Sequence, residues 1–278
     1  MLKTINAYGS SFKLSEDGKS ATCEQASILF DKENNKYNIR MVFDTDLIAD
    51  LVISPMNAGF KINNGEVDFY TGMPKEGRVV SSFIPKCKVS GNLIVHGAVE
   101  DATGYGTFTH ALQVKPQCVG RWNFASFHSD ELSLLMYQFE MPHGYDYDVD
   151  IVNRGSIFYK NDILAVTTQN LAIGFDHEYD AFSGYKVPKH IEFFWEGKTK
   201  DGEDVHVKIS VNPGPPQEVV DVLSELPFLL RKFVQTFITK PFCYERINDV
   251  VAEVTIGDKK FHVSGKLWHE MILMAEMS

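Results

Sequence analysis

Clusters of turn-forming residues recur about every 8–12 positions along this chain, and the segments between them alternate apolar with polar side chains. That is the rhythm of a β-sandwich or β-barrel. Early clusters are Glu16-Asp17-Gly18, Lys32-Glu33-Asn34-Asn35 and Asn63-Asn64-Gly65. The Asn-Gly pair is a strong hairpin signal, because both residues tolerate positive φ. Residues 36–43 alternate, with Tyr37, Ile39, Met41 and Phe43 on one face, and 47–54 form a more buried run. Strands follow at 79–84 and 88–95, then at 121–127, 132–141, 149–159, 163–168 and 171–175. Residues 191–195 and 205–211 read as a hairpin closed at Thr199-Lys200-Asp201-Gly202. The last pair, 244–256 and 261–274, flanks Gly257-Asp258-Lys259. The 20 Phe and 11 Tyr suit such a chain, since aromatic side chains favour pleated, half-buried surfaces.

One segment breaks this period. Val219, Val222, Leu223, Leu226, Leu230, Phe233, Val234 and Phe237 fall at helical spacing. The spacing predicts an amphipathic helix near residues 219–238, interrupted at Pro227 and entered through the loop Asn212-Pro213-Gly214-Pro215-Pro216, which cannot continue a strand. Its polar face mixes Arg231 and Lys232 with Glu218, Asp221 and Glu225. A surface-binding helix is usually cationic, so packing across a barrel is the expected role.

Composition excludes several classes. The net charge is −10, with no Lys/Arg cluster, so nucleic acid is not an expected partner and general attraction to anionic lipid is disfavoured. Cys23, Cys87, Cys118 and Cys243 are far apart and form no C-x-x-C pair. They read as free thiols of a reducing compartment, not as a disulfide framework or zinc site. The N-terminus lacks the apolar core and cleavage site of a signal peptide, and no run approaches the roughly 18 apolar residues of a membrane span.

Residues 108–129, FTHALQVKPQCVGRWNFASFHS, resemble a signature of the fungal survival-factor family, whose members are linked to survival under oxidative stress. The matching positions are Phe108, His110, Ala111, Leu112, Gln113, Lys115, Pro116, Trp122, Asn123, Phe124, Phe127 and Ser129. Residues 221–244 resemble that family's DVL-x-E-x-P helix followed by Thr-Lys-Pro-Phe. A looser match joins 14–18 to the Pro-x-x-x-Gly-Phe-Lys stretch at 55–61. The resemblance implies an all-β, mainly antiparallel fold of two tandem lipocalin-like β-barrels. The first is expected over residues 1–97 and is incomplete, because too few strands are present to close eight; the second is expected over 98–278. The missing part would hold the family's membrane-associating N-terminal segment and leave a sheet edge exposed. The loop at 112–116 is one residue shorter than the family's Gln-Gly-Met-Lys-Pro. The implied activity is non-catalytic binding or transfer of an apolar molecule, a ceramide-like sphingolipid, in the cytoplasm, with transient contact at ER or Golgi membranes.

The densest polar-aromatic constellation is His110, Gln113, Arg121, Trp122, Asn123 and His128. A lipid cavity needs apolar walls and a few placed donors and acceptors. His110, Gln113, Trp122, Asn123, Phe124, Phe127 and His128 are therefore the candidate ligand-binding residues, with Trp122, Phe124 and Phe127 as wall. The alternative is a barrel-to-barrel junction of mutually bonded polar groups. Asp146, Asp148 and Asp150 share one side of a strand near His143, but a solvated face is the preferred reading, as it is for Asp176-His177-Glu178. Gly104-Tyr105-Gly106 lacks the context of a nucleotide loop, and no G-x-S-x-G elbow occurs. No catalytic residue, metal ligand or cofactor is assigned. The alternatives in other classes are an isoprenoid-type hydratase or cyclase, related to carotenoid hydratases, and an interaction module with a collapsed cavity.

Overall fold

The computed structural model describes residues 11–61, 66–68, 78–113, 119–141, 151–160 and 162–274. The chain divides into two compact units, Met1–Ala58 with Lys86–Phe108, and Gly59–Pro85 with Thr109–Ser278. Both are antiparallel β structure, as the turn rhythm predicts.

The first unit is built on β1 (Lys13–Leu14), β2 (Ala21–Thr22), β3 (Ala26–Asp31), β4 (Lys36–Asp44) and β5 (Leu47–Pro55), which pair in sequence order. Next in the chain come β6 (Glu66–Asp68) and β7 (Arg78–Val95), then β8 (Ala98–Asp101) and β9 (Gly104–Gln113); β6 and the start of β7 fall in the second unit, while β7 from Lys86, β8 and β9 up to Phe108 fall in the first. β5 pairs with β7 from Pro55↔Cys87 to Leu47↔Val95. Gly91 permits this approach: its φ is +131°, and a Cβ there would lie 2.1 Å from the Asp50 carbonyl oxygen. The sequence pattern predicts two strands where β7 is one. Its first residues pair with β6, Phe83 bridges Phe60, and pairing with β5 starts at Cys87. Pro85 sits between those partners, where its missing N–H costs no ladder bond. Ala49 and Cys87 are the buried apolar side chains among this unit's described residues, so its core is thin. Tyr37 stacks on Phe108 with centroids 5.8 Å apart. The Asn63-Asn64-Gly65 turn lies outside the described residues.

The second unit contains β10 (Arg121–His128), β11 (Leu132–Glu140), β12 (Ile151–Tyr159), β13 (Asp162–Thr167), β14 (Leu171–Tyr179), β15 (Lys186–Lys198), β16 (Asp204–Val211), β17 (Glu218–Asp221), β18 (Phe242–Ile256) and β19 (Lys259–Leu273). Their order is β13-β12-β11-β10-β19-β18-β16-β15-β14, with β17 added to β18. Tight turns fix the registers; the Gly257-Asp258 turn pairs Ile256 with Lys259 and holds β18 and β19 together over their full lengths. The ends of this order meet through side chains. Gly197 of β15 faces Ala165 and Thr167 of β13 so closely that a Cβ would lie 3.0 Å from the Thr167 methyl. The Gln138 amide accepts from Ala172 N–H at 2.9 Å and donates to Ala172 C=O at 3.3 Å, copying the bonds a neighbouring strand would make. Asn153 Oδ1 accepts from Asn170 N–H at 2.9 Å.

One half of the barrel interior is a closed apolar core that includes Phe127, Leu134, Met136, Phe193, Trp195, Val207, Ile209 and Ala252. Each of the larger aliphatic and phenylalanine side chains contributes about 1.5–3 kcal/mol. The outer face of β10 and β11 is also covered. Phe60 and Phe83 pack there against Tyr137, Phe139 and Leu135, and Ser81 Oγ lies 3.0 Å from the Tyr137 hydroxyl.

The helical segment is shorter than its spacing predicts. Residues 218–221 form β17 and pair with β18, and the helix α1 is Phe228–Phe237. Pro227 sets the start: it occupies the N-cap position, where a residue without an N–H is tolerated. No residue of α1 is buried, so the expected packing of its apolar face across a barrel does not occur among the described residues. No described helix is long and apolar enough to cross a membrane.

Candidate functional site

β10 alternates, and its two faces have different fates. Arg121, Asn123, Ala125 and Phe127 point into the barrel, while Trp122, Phe124, Ser126 and His128 point outward. Asn123 is buried, and its Oδ1 lies 3.0 Å from His269 Nε2 of β19. Phe127 is fully buried in the apolar core. Trp122 packs edge-on to Phe139 and donates its Nε1–H to Glu270 Oε1 at 3.0 Å. Phe124 packs on Trp268, and His128 Nε2 lies 3.0 Å from Ser126 Oγ. His110 is exposed on β9, and the Gln113 side chain is outside the described residues. The structure thus brings Asn123 and Phe127 to the interior and places Trp122, Phe124 and His128 on the opposite face.

Polar side chains collect at the other half of the interior. Arg121 pairs with Glu140, and Glu140 Oε1 accepts from Gln138 Nε2 at 2.8 Å. Next to them stand His269 and, directly across the strand pair, Arg246 of β18. His269 is 1% exposed and Arg246 2%. The Asn123 oxygen can only accept, so it fixes His269 as the Nε2–H tautomer and leaves Nδ1 as a bare acceptor. That Nδ1 has no hydrogen-bond partner among the described residues, and neither do Nε and Nη1 of Arg246. Burial, reinforced by the Arg246 charge, pushes His269 down to about 3, so it is neutral at physiological pH. Burial also lowers Arg246, whose guanidinium lies 5.3 Å from the Tyr244 ring centroid. Buried donors and acceptors without partners are uncommon, and each costs about 1–3 kcal/mol.

Arg246 and Tyr244 form the inner wall of a cavity of about 850 Å³. That is within the roughly 300–1,000 Å³ of ligand sites. Val187, Pro188 and Val219 supply apolar wall, and the Gly214-Pro215-Pro216 loop and the end of β14 form the rim. The Tyr244 hydroxyl donates to Asp180 Oδ2 at 2.5 Å and lies 2.6 Å from Ser183 Oγ. Burial, with the bond to Asp180, raises Tyr244 well above its ordinary value. Burial opposes ionisation of Asp180 too, but hydrogen bonds from Tyr244 and Ser183 outweigh it and hold this carboxyl below the usual range.

Arg246, His269 and Tyr244 are the residues that sequence reasoning missed. The signal was the inward phase of β18, where Tyr244, Arg246 and Asn248 precede Val250, Ala252 and Val254. Asp176 and Glu178 lie on the cavity rim, with Glu178 paired to Lys189 at 3.0 Å. His143, Asp146, Asp148, Asp150 and Cys118 lie outside the described residues. On the outer face of β18 and β19, ligand atoms of Cys243, Glu245 and Glu270 lie within 4.8 Å of one another. Burial, with Glu270 and Glu245 nearby, raises the Cys243 thiol far above its ordinary value.

A family model described as the Svf1 family matches residues 4–274. The chain belongs to the Svf1 family. The blocks at 108–129 and 221–244 point to the same family. Among Svf1 relatives, the ceramide-binding protein svf1 of Emericella nidulans is 29% identical over 262 residues, covering 92% of this chain and 68% of the relative. The ceramide-binding protein svf1 of Schizosaccharomyces pombe is 29% identical over 266 residues, covering 93% and 69%. Among solved structures, a putative AttH from Nitrosomonas europaea is similar with a TM-score of 0.59 at 13% identity, covering 91% of this chain and 70% of that one. Kievitone hydratase from Nectria haematococca is similar with a TM-score of 0.53 at 14% identity, covering 91% and 69%. At these identities the likeness is one of fold, the lipocalin-like fold.

Proposed function

We propose that this Svf1-family chain is a non-catalytic carrier that takes a ceramide-like sphingolipid into the cavity of its second barrel. The observation that carries the reading is Arg246, which lines the cavity with two buried N–H donors unmet among the described residues. A ceramide head offers the complement: an amide or hydroxyl oxygen to accept from the guanidinium. The alkyl chains lie against Val187, Pro188 and Val219, and each methylene removed from water contributes about 0.8 kcal/mol.

The names of the relatives support a lipid ligand, and family resemblance supports the link to oxidative-stress survival, a cytoplasmic location and hand-over between membranes. The hydratase or cyclase reading fits this cavity less well. His269 is neutral down to about pH 3, a poor general base, and Glu140 is engaged by Arg121.

Native mass spectrometry after incubation with C16 ceramide, with lipid extraction of the same sample, tests the reading. One ceramide per chain is expected. A chain that stays ligand-free, or one in which Arg246→Met retains ceramide as the parent does, overturns it.

A further inference from the structure

α1 is amphipathic in the reverse sense of an ordinary surface helix. Its polar edge holds it to the protein. Arg231 Nη2 lies 2.7 Å from Asp221 Oδ2, Gln235 Nε2 donates to the same oxygen at 2.9 Å, and Asp221 is itself buried. The opposite side carries Leu229, Phe233 and Phe237, spaced i, i+4, i+8 and therefore stacked on one face. They are 80%, 54% and 73% exposed, and the Phe233 and Phe237 rings lie 5.2 Å apart. A soluble helix buries such a stripe; here, among the described residues, it faces water. An exposed apolar patch of this kind marks an interaction site.

Three observations name the occupant. First, the patch continues to the cavity. The loop after β14 exposes Tyr179 and Phe182, and Tyr179 and Asp180 border the cavity. Tyr185 in that loop donates from its hydroxyl to Lys240 C=O at 2.8 Å, just beyond the helix. Second, α1 itself has no acidic residue, and with Arg231 held by Asp221 the exposed Lys232, beside the apolar stripe, is the charge that α1 offers to a phosphate head group. Third, a ten-residue helix is about 15 Å long. Its one free face is too small for the roughly 1,200–2,000 Å² of a stable protein interface, whereas shallow insertion into a bilayer needs no matching partner surface.

We propose that α1 docks this protein on a lipid bilayer, with Leu229, Phe233 and Phe237 among the acyl chains and the cavity mouth turned to the membrane surface. As a route for the ligand, this docking rests on the carrier reading; as a membrane contact, it stands alone.

The test is flotation of the full chain with phosphatidylcholine vesicles, with and without phosphatidylserine, against the double variant Phe233→Glu and Phe237→Glu. Both side chains are exposed, so the variant keeps the fold. Parent protein floats with both compositions, and the variant loses roughly tenfold in partitioning for each phenylalanine. Phe233→Trp, in vesicles with brominated acyl chains, shows quenched fluorescence. Absence of flotation, flotation that survives the double variant, or an unquenched Trp at 233 overturns the proposal. So does a concentration-dependent dimer that the double variant abolishes, because the patch then belongs to a second copy. Ceramide capture in detergent, read by native mass spectrometry on the same variant, stays at the parent level. Failure of that readout in the parent counts against the carrier reading and leaves the docking result standing.

Discussion

Replacing Arg246 with methionine separates stability from binding. Arg246 is 2% exposed, and two of its nitrogens have no partner among the described residues. A buried charge in that condition opposes folding, and exchanging buried ionic groups for apolar side chains of similar volume stabilises by about 1–4 kcal/mol. Methionine keeps the length of the arginine stem and removes the charge. For a domain of this size, 1 kcal/mol raises Tm by about 2–4 °C, so the delipidated variant melts roughly 2–15 °C above the parent. Binding moves the other way. A hydrogen bond to a charged group contributes about 1.5–3 kcal/mol, so ceramide affinity falls about 10- to 150-fold. The assay is a thermal melt of parent and variant, each with and without excess C16 ceramide. Without ligand the variant has the higher Tm; with ligand the parent gains far more. A variant that melts lower without ligand while keeping the full ceramide-induced rise would refute the assignment of Arg246 to the ligand and return it to structural support.

Acid titration reads His269. Unfolded, it takes a proton near its ordinary value of about 6.5; folded, it resists to about 3. The unfolded state therefore binds more protons between those values, and stability declines as pH falls through that window, by up to about 1.4 kcal/mol per unit. His269→Gln flattens this part of a urea-midpoint against pH profile. Gly155→Ala destabilises by about 1–3 kcal/mol, because the new Cβ meets Leu135 O at 2.5 Å and Thr167 Oγ1 at 2.8 Å; urea unfolding measures it. Iodoacetamide labelling with peptide mapping finds Cys23 modified in the folded protein, while Cys87 and Cys243 react only on unfolding. Both are buried free thiols, and burial pushes Cys87 up to about 11.

Much of the β architecture was legible, because turns such as Thr199–Gly202 and Gly257–Lys259 are local chemistry and β16, β18 and β19 alternate plainly. The site was less so. Alternation assigns residues to a face but not the face to the interior. On β11 every residue from Leu132 to Glu140 is buried, so both faces carry apolar side chains. Trp122 and Phe124 read as cavity wall by composition; Phe60 and Phe83 pack on that outer face, a long-range event with no local signal. The helical period at 219–238 was real, but β17 gains ladder bonds to β18, and tertiary pairing overrode propensity before Pro227. Arg246 and His269 are 23 residues apart in sequence and become neighbours only through the β18–β19 register.

The Gln138 amide has a mechanical consequence. Along the rest of the strand order, among the described residues, neighbouring strands are stitched by the main chain, whose bonds share load down the whole ladder. Where β14 meets β11 and β12, the stitching is two side chains, Gln138 and Asn153, and a few short bonds. That line is a zip with most of its teeth missing. Under heat, pressure or an entering hydrocarbon tail, the wall parts there first, as a slit running along the strands, while the rest of the staves keep their spacing. Amide protons of Asn170 and Ala172 then exchange with solvent ahead of those in β18 and β19.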